Sequence, residues 1–285
     1  MKLGLVQSAH NVMYDFLNPR FSFSLQECRA LQTCQVQQNL DLLARTVGQD
    51  FDLLVTTECI NYIRTSSSNN PSDASLYPPL DCAQTEALGK AARAAGSWLV
   101  AGFGYRQNEA VYNAALVFDR SGVLRAIYHK MHLAGDEGQI FSAGDGFFIQ
   151  QADFGRFGVC ICWDMQFPET ARTLALGGAE MVVCPTWGWE ADLYGRARAY
   201  ENGIFTAAAM AVPAWGPITL PRTPSSAIAP DGQILACGDA QHAMLVSCCL
   251  DLSAAHQPSQ TRLSGRRPEQ YGALIKSTVA KCKGD

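Results

Sequence analysis

Charge is scarce in this chain and neither sign prevails: 17% of its 285 residues are charged, with 22 Lys and Arg against 26 Asp and Glu. The net charge of −4 leaves no basic footprint, so neither nucleic acid nor an anionic membrane surface is expected as a partner. Long apolar runs are missing as well; none approaches the ~20 residues of a membrane-spanning helix. The opening MKLGLVQ reads directly as a strand, without the basic, apolar and small-residue segments of a secretory leader. Glycine-rich phosphate loops, repeats, low-complexity tracts and Gly/Ser linkers are absent too. A single domain over residues 1–285 is therefore expected, with a C-terminal tail from about 256 to 285. Cysteine, by contrast, is plentiful. Eleven is an odd number, and most lie in apolar runs (Cys160, Cys184, Cys237, Cys248), which suits free thiols in a reducing cytoplasm better than a disulfide framework.

Hydrophobic patterning predicts an α/β fold. Strands are expected at 2–7, 53–57, 98–102, 111–118, 123–129, 146–151, 156–161, 181–184, 204–210, 225–229, 233–237 and 243–250. Helices are expected at 36–47, where Val36, Leu40, Leu43 and Val47 recur at helical spacing before Gly48, and at 83–95, 168–177, 190–201 and 266–276. Segments 10–34, 65–80 and 212–224 read as loops. Helices between strands favour parallel pairing, while the turns 119–122 and 230–232 favour hairpins, so the sheets should be mixed.

The most informative stretch is FGVCICWDMQFPE, residues 157–169. An apolar strand delivers Cys162 to a turn, and Pro168 with Glu169 suits the start of a helix. A thiol at a strand exit is well placed to act as a nucleophile. Two more polar residues stand at strand exits: Glu58 after 53–57 and Lys130 after 123–129. Ligands of α/β sheets bind at the carboxyl ends of strands. A carboxylate there can take the thiol proton, and an ammonium can stabilise a thiolate or an oxyanion. Spacing alone does not show that the three meet. A cysteine in an apolar run also serves as a small core residue, and Glu58 and Lys130 also suit a solvated rim. Trp187 and Trp189 fit pocket lining and packing equally. His129 and His132 flank Lys130, but zinc wants three or four ligands and no matching pair is spaced to complete a site.

Several ordered blocks across nearly the whole chain resemble the nitrilase superfamily of carbon–nitrogen hydrolases. They are the strand ending in Gln7, Asp52–Val55 with Glu58, Asn113–Ala115 with Tyr128–Leu133, Ile161–Asp164 with Phe167–Glu169 and Arg172, Arg198–Asn202, and Arg266–Tyr271. The resemblance implies an α-β-β-α sandwich with mixed sheets, forming four layers when it pairs as a homodimer or larger homo-oligomer. It makes Glu58 the general base, Lys130 the oxyanion stabiliser and Cys162 the nucleophile. Glu137 then orients the substrate amide and the lysine, and the Trp163 N–H is a second oxyanion donor. The implied reaction forms and hydrolyses a thioester, with no metal or organic cofactor. Asp164 after Trp163 resembles amidases and N-carbamoyl-amine hydrolases, whereas true nitrilases have Glu there. The substrate implied is a small amide or carbamoyl compound. A nitrilase, a catalytically silent assembly-forming relative and a Cys–His enzyme using His129 or His132 are the alternatives. Thr56–Thr57 before Glu58 and Thr223–Pro224 before Ser225 depart from the family's usual proline and glycine.

Overall fold

The computed structural model describes residues 1–10, 24–62, 74–213 and 222–276. The expected loop residues 11–23, 65–73 and 214–221, and the end of the tail from 277, lie outside this set. Two six-stranded sheets account for most of the strands. The first contains β1 (Lys2–Gln7), β3 (Leu53–Thr56), β4 (Trp98–Gln107), β5 (Ala110–Phe118), β6 (Leu124–His129) and β14 (Met244–Cys249). The second contains β7 (Ile149–Ala152), β8 (Gly155–Val159), β9 (Met181–Thr186), β10 (Phe205–Met210), β12 (Ser226–Ile228) and β13 (Ile234–Cys237). A short parallel pair, β2 (Ala9–His10) with β11 (Val212–Pro213), joins the exits of β1 and β10.

Each sheet has three parallel strands at its centre, β1-β3-β4 in one and β8-β9-β10 in the other, with antiparallel strands outside them. Parallel neighbours need crossovers, which here run through α1 (Leu25–Ala44), α2 (Ala83–Ala95), α3 (Pro168–Leu176) and α4 (Arg196–Asn202). The central strands are apolar on both faces. In β3, Leu53 and Val55 join the cluster between the sheets, while Leu54 joins the cluster under α1 and α2. In the second sheet Phe157, Val159, Met181 and Val183 point inward, and Cys160, Val182 and Cys184 point outward to α3 and α4. Double-sided burial explains why these strands read as unbroken apolar runs. The layers are α-β-β-α.

Two helices differ from expectation. α1 starts at Leu25, eleven residues before the predicted helix, with a capping box in which Ser24 and Glu27 exchange hydrogen bonds. Its buried face carries Gln32, Gln35 and Asn39 beside Val36 and Leu43, and polar residues facing inward blurred the period. Gln32 is satisfied by the carbonyls of Asn61 and Leu76. At the other end the helix is α5 (His256–Ser264), and the predicted 266–276 forms 3-10 turns instead. α5 has no apolar stripe; Arg262 anchors it by lying 4.0 Å above the Tyr200 ring and bonding the Pro230 carbonyl.

Candidate active site

The exit of β3 is held by its two threonines. Thr56 Oγ1 accepts from the Gly102 N–H at 3.0 Å, and Thr57 Oγ1 pairs with Ser8 Oγ at 2.8 Å. The neighbouring strand must have glycine at 102: a Cβ there would lie 2.2 Å from the Thr57 carbonyl oxygen and 2.7 Å from Glu58 Cα. The chain then turns through Cys59 at φ +40°. Trp187 Nε1 donates to the Glu58 carbonyl at 2.7 Å.

Glu58 is fully buried, and so is Lys130. The Lys130 ammonium donates to Glu58 Oε1 and to Glu137 Oε1, each at 2.8 Å. Asn113 Nδ2 adds a second donor to Glu58 Oε1 at 2.8 Å, while its main-chain carbonyl accepts from the Lys130 N–H at 2.9 Å. Glu137 begins a short 3-10 turn, and its Oε2 accepts from the Ala134 N–H at 2.8 Å. Burial works against the Lys130 charge, but Glu58, Cys162 and Glu137 outweigh it and hold the ammonium well above its ordinary value. Burial and then the Glu58 charge keep Glu137 above the ordinary carboxylate range. The other oxygen of Glu58, Oε2, is buried without a hydrogen-bond partner among the described residues.

Cys162 follows β8 at φ +44° and opens a 3-10 turn, Cys162–Gln166, that leads into Pro168 at the start of α3. A left-handed conformation is costly for a residue with a Cβ and persists only where its surroundings impose it. Asp164 closes this turn: its N–H bonds the Ile161 carbonyl at 3.0 Å, and its carboxylate accepts from the Ile161 N–H at 2.9 Å. Cys162 is half-buried. Burial, then the Glu58 charge, push its thiol up to about 12, while Lys130 and a hydrogen bond with Thr186 pull the other way. The floor beside the sulfur is Gly188, where a Cβ would sit 3.8 Å from Sγ. Tyr194, in the π turn Ala191–Gly195, holds this loop by donating to the Gly188 carbonyl and accepting from the Glu190 N–H.

Glu58, Lys130 and Glu137 thus share one hydrogen-bonded cluster, and Cys162 is electrostatically coupled to all three. Trp187 is buried against Tyr62, with ring centroids 4.8 Å apart, and braces the Glu58 backbone. Trp163 is exposed at the surface beside Cys162, whereas Trp189 is a core residue bonded to Ser226 Oγ at 2.7 Å. The histidines face elsewhere. His129 bonds the Tyr105 hydroxyl at 2.7 Å, and His132 bonds Asp164 and stacks on Phe167 at 4.0 Å. Asn113 carried no role in the sequence reading; its place opposite the Glu58 exit follows only from the pairing of β4 with β5. Among the described residues no group of three or more His, Cys, Asp or Glu side chains is arranged to hold a metal ion, and no helix is long and apolar enough to cross a membrane.

The exits of β3, β6 and β8, with the turn at Glu137, bring a carboxylate, a lysine, a thiol and a second carboxylate to one end of the two-sheet sandwich. The carbon–nitrogen hydrolase family model matches residues 28–257, and the chain belongs to that family. A hydrolase encoded in the pqqF 5′ region of Pseudomonas protegens is 34% identical over 237 residues, 80% of this chain and 82% of its own length. An N-carbamoylputrescine amidase of Arabidopsis thaliana is 38% identical over 102 residues, 34% of each chain. The carbon–nitrogen hydrolase of Helicobacter pylori superposes with a TM-score of 0.78 at 22% identity, covering 97% of this chain and 98% of that one. An amidase from Nesterenkonia, solved with acrylamide added at its active-site cysteine, gives 0.75 at 23% identity over 96% of this chain and all of that one. At such identities the two structures bear on the fold, which is the nitrilase fold.

Proposed function

We propose that the chain hydrolyses a small-molecule amide or N-carbamoyl group through a thioester on Cys162. The observation that carries this reading is the Lys130 ammonium held between Glu58 and Glu137, with Glu58 Oε2 left unpartnered in a buried site coupled to the thiol. At rest the sulfur keeps its proton. As it attacks the substrate carbonyl, Glu58 takes that proton, and the developing oxyanion is met by Lys130 and the Trp163 N–H. Glu58 then passes the proton to the leaving nitrogen, and ammonia or an amine departs as the C–N bond breaks. Glu58 next draws a proton from water; the resulting hydroxide attacks the thioester carbonyl, and the proton returns to sulfur as the C–S bond breaks. Glu137 holds the lysine in line throughout.

The same reading has the chain working as a homodimer or larger homo-oligomer in the cytoplasm. Leu176, Leu193 and Tyr200, exposed around α3 and α4, offer apolar surface for such pairing. Ammonia release from a panel of ω-amides, N-carbamoyl amines and acids, and nitriles tests the activity. Turnover of amides or carbamoyl compounds that disappears in Cys162→Ala is the expected result. Exclusive nitrile turnover would replace the reading with a nitrilase, and full activity in Cys162→Ala would remove the thioester.

A further inference from the structure

Asp164 lies two residues beyond Cys162, is fully buried, and accepts four hydrogen bonds. Its Oδ2 takes the Tyr128 hydroxyl at 2.8 Å and the Ile161 N–H at 2.9 Å. Its Oδ1 takes the His132 N–H at 2.9 Å and His132 Nδ1, the protonated nitrogen against a carboxylate, at 2.8 Å. A carboxylate offers about four acceptor sites, so this one is used to capacity. The identity of its partners gives the pattern meaning. Tyr128 and His132 stand two residues before and two residues after Lys130, and Ile161 immediately precedes Cys162. Tyr128 belongs to β6 in the first sheet, whereas Ile161 follows β8 in the second. One side chain therefore ties both flanks of the lysine to the strained turn that presents the sulfur.

We propose that Asp164 is a positioning residue that sets the separation between the Lys130 ammonium and the Cys162 sulfur, without touching the substrate. The proposal rests on the reading of Cys162 as the nucleophile. Burying a carboxylate is costly unless its oxygens are satisfied, and here the four bonds span the two strand exits that must be held in register. Loosening any of them lets the turn relax from its left-handed conformation and draws the sulfur away from the cation. For two unit charges about 4 Å apart in an effective dielectric of about 20, a retreat of roughly 1 Å lowers the thiolate fraction about fourfold, which sets the scale of the expected effect.

The test uses the folded full chain and a small electrophile, iodoacetamide, at pH 8. Alkylation of Cys162 is followed by mass spectrometry relative to Cys34, which is exposed on α1. Tyr128→Phe removes one donor with no change of charge. Asp164→Asn turns an acceptor into a donor facing other donors. Cys162 alkylation should fall about fourfold in Tyr128→Phe and further in Asp164→Asn, with Cys34 unchanged and buried Cys160 and Cys184 still protected. The sign is diagnostic: losing the Asp164 charge without movement would raise Cys162 reactivity, so a fall reports displacement. Cys162 reacting at or above the wild-type rate in Tyr128→Phe overturns the proposal, and that variant decides if Asp164→Asn exposes Cys160. Because nothing in this measurement requires turnover, failure of the hydrolytic reading registers separately, as activity surviving in Cys162→Ala.

Discussion

Replacing Lys130 with methionine keeps most of the side-chain volume and removes the positive charge that faces buried Glu58 and half-buried Glu137. Two charge-assisted hydrogen bonds go with it, from Nζ to Glu58 Oε1 and to Glu137 Oε1, each worth about 1.5–3 kcal/mol. Asn113 and the Ala134 N–H still serve one carboxylate each, which softens the loss. Removing one partner of a buried ion pair costs about 3–5 kcal/mol, and we expect Lys130→Met to fall in that range at pH 8. The deficit should depend on pH with a definite sign. Glu137 is already held above the ordinary carboxylate range by burial and by Glu58, and losing Lys130 raises it further. A carboxyl raised in the folded state favours folding at acid pH, and that contribution is lost as pH climbs through the folded value. The deficit should therefore shrink towards pH 5 and grow towards pH 8. Urea denaturation of wild type, Lys130→Met and Lys130→Met/Glu137→Gln at both pH values measures it, and the double variant should recover about 1–2 kcal/mol at pH 8. A single variant within about 1 kcal/mol of wild type at pH 8, or an equal deficit at both pH values, would refute the reasoning.

Asn113→Ala should cost about 1–2 kcal/mol of stability from the lost bond to Glu58. Its kcat on any substrate found in the panel should fall at least tenfold, because Glu58 loses one of the two donors that fix its rotamer; wild-type kcat would count against this. The Cys162 thiol, raised to about 12 in the folded protein, predicts an alkaline effect. A raised thiol withdraws stability as pH rises from its ordinary value of about 8.5 towards its folded value, so wild type should lose up to about 1.4 kcal/mol per pH unit that Cys162→Ala does not. The denaturant midpoint of wild type minus that of Cys162→Ala should fall steadily between about pH 8 and 10.5; parallel curves would contradict it.

Much of this site was legible because each member stands next to an apolar run. Glu58, Lys130 and Cys162 each follow a strand with a strong hydrophobic signal, so their placement at the exits could be read without knowing how the strands pair. What pairing alone decides stayed hidden. Asn113 sits inside β5 and enters the sequence only as part of a resembling block without a role of its own; its meaning comes from β4 and β5 lying side by side across the β3 exit. Apart from Ile161, the partners of Asp164 are 32 and 36 residues away, in β6 or just beyond it, so its neighbours in sequence give no hint of the clasp it makes. α1 eluded the periodicity because Gln32, Gln35 and Asn39 occupy its inward face, and α5 because polar contacts rather than an apolar stripe hold it.

Glu58 and Lys130 follow strands of one sheet and Cys162 a strand of the other, which makes the sandwich filling a gauge as well as a core. Leu5, Val55, Val100, Val159 and Val183 meet between the sheets, which stack at about 10 Å. The thickness of that layer fixes how far the thiol stands from its partners. A Val→Ala change there, remote from any substrate, would let one leaf settle towards the other and detune proton transfer while the protein stays folded. Hydrostatic pressure, which squeezes out packing voids, should act on the same dimension. Turnover in such a molecule is expected to report compression of its interior well before the chain unfolds.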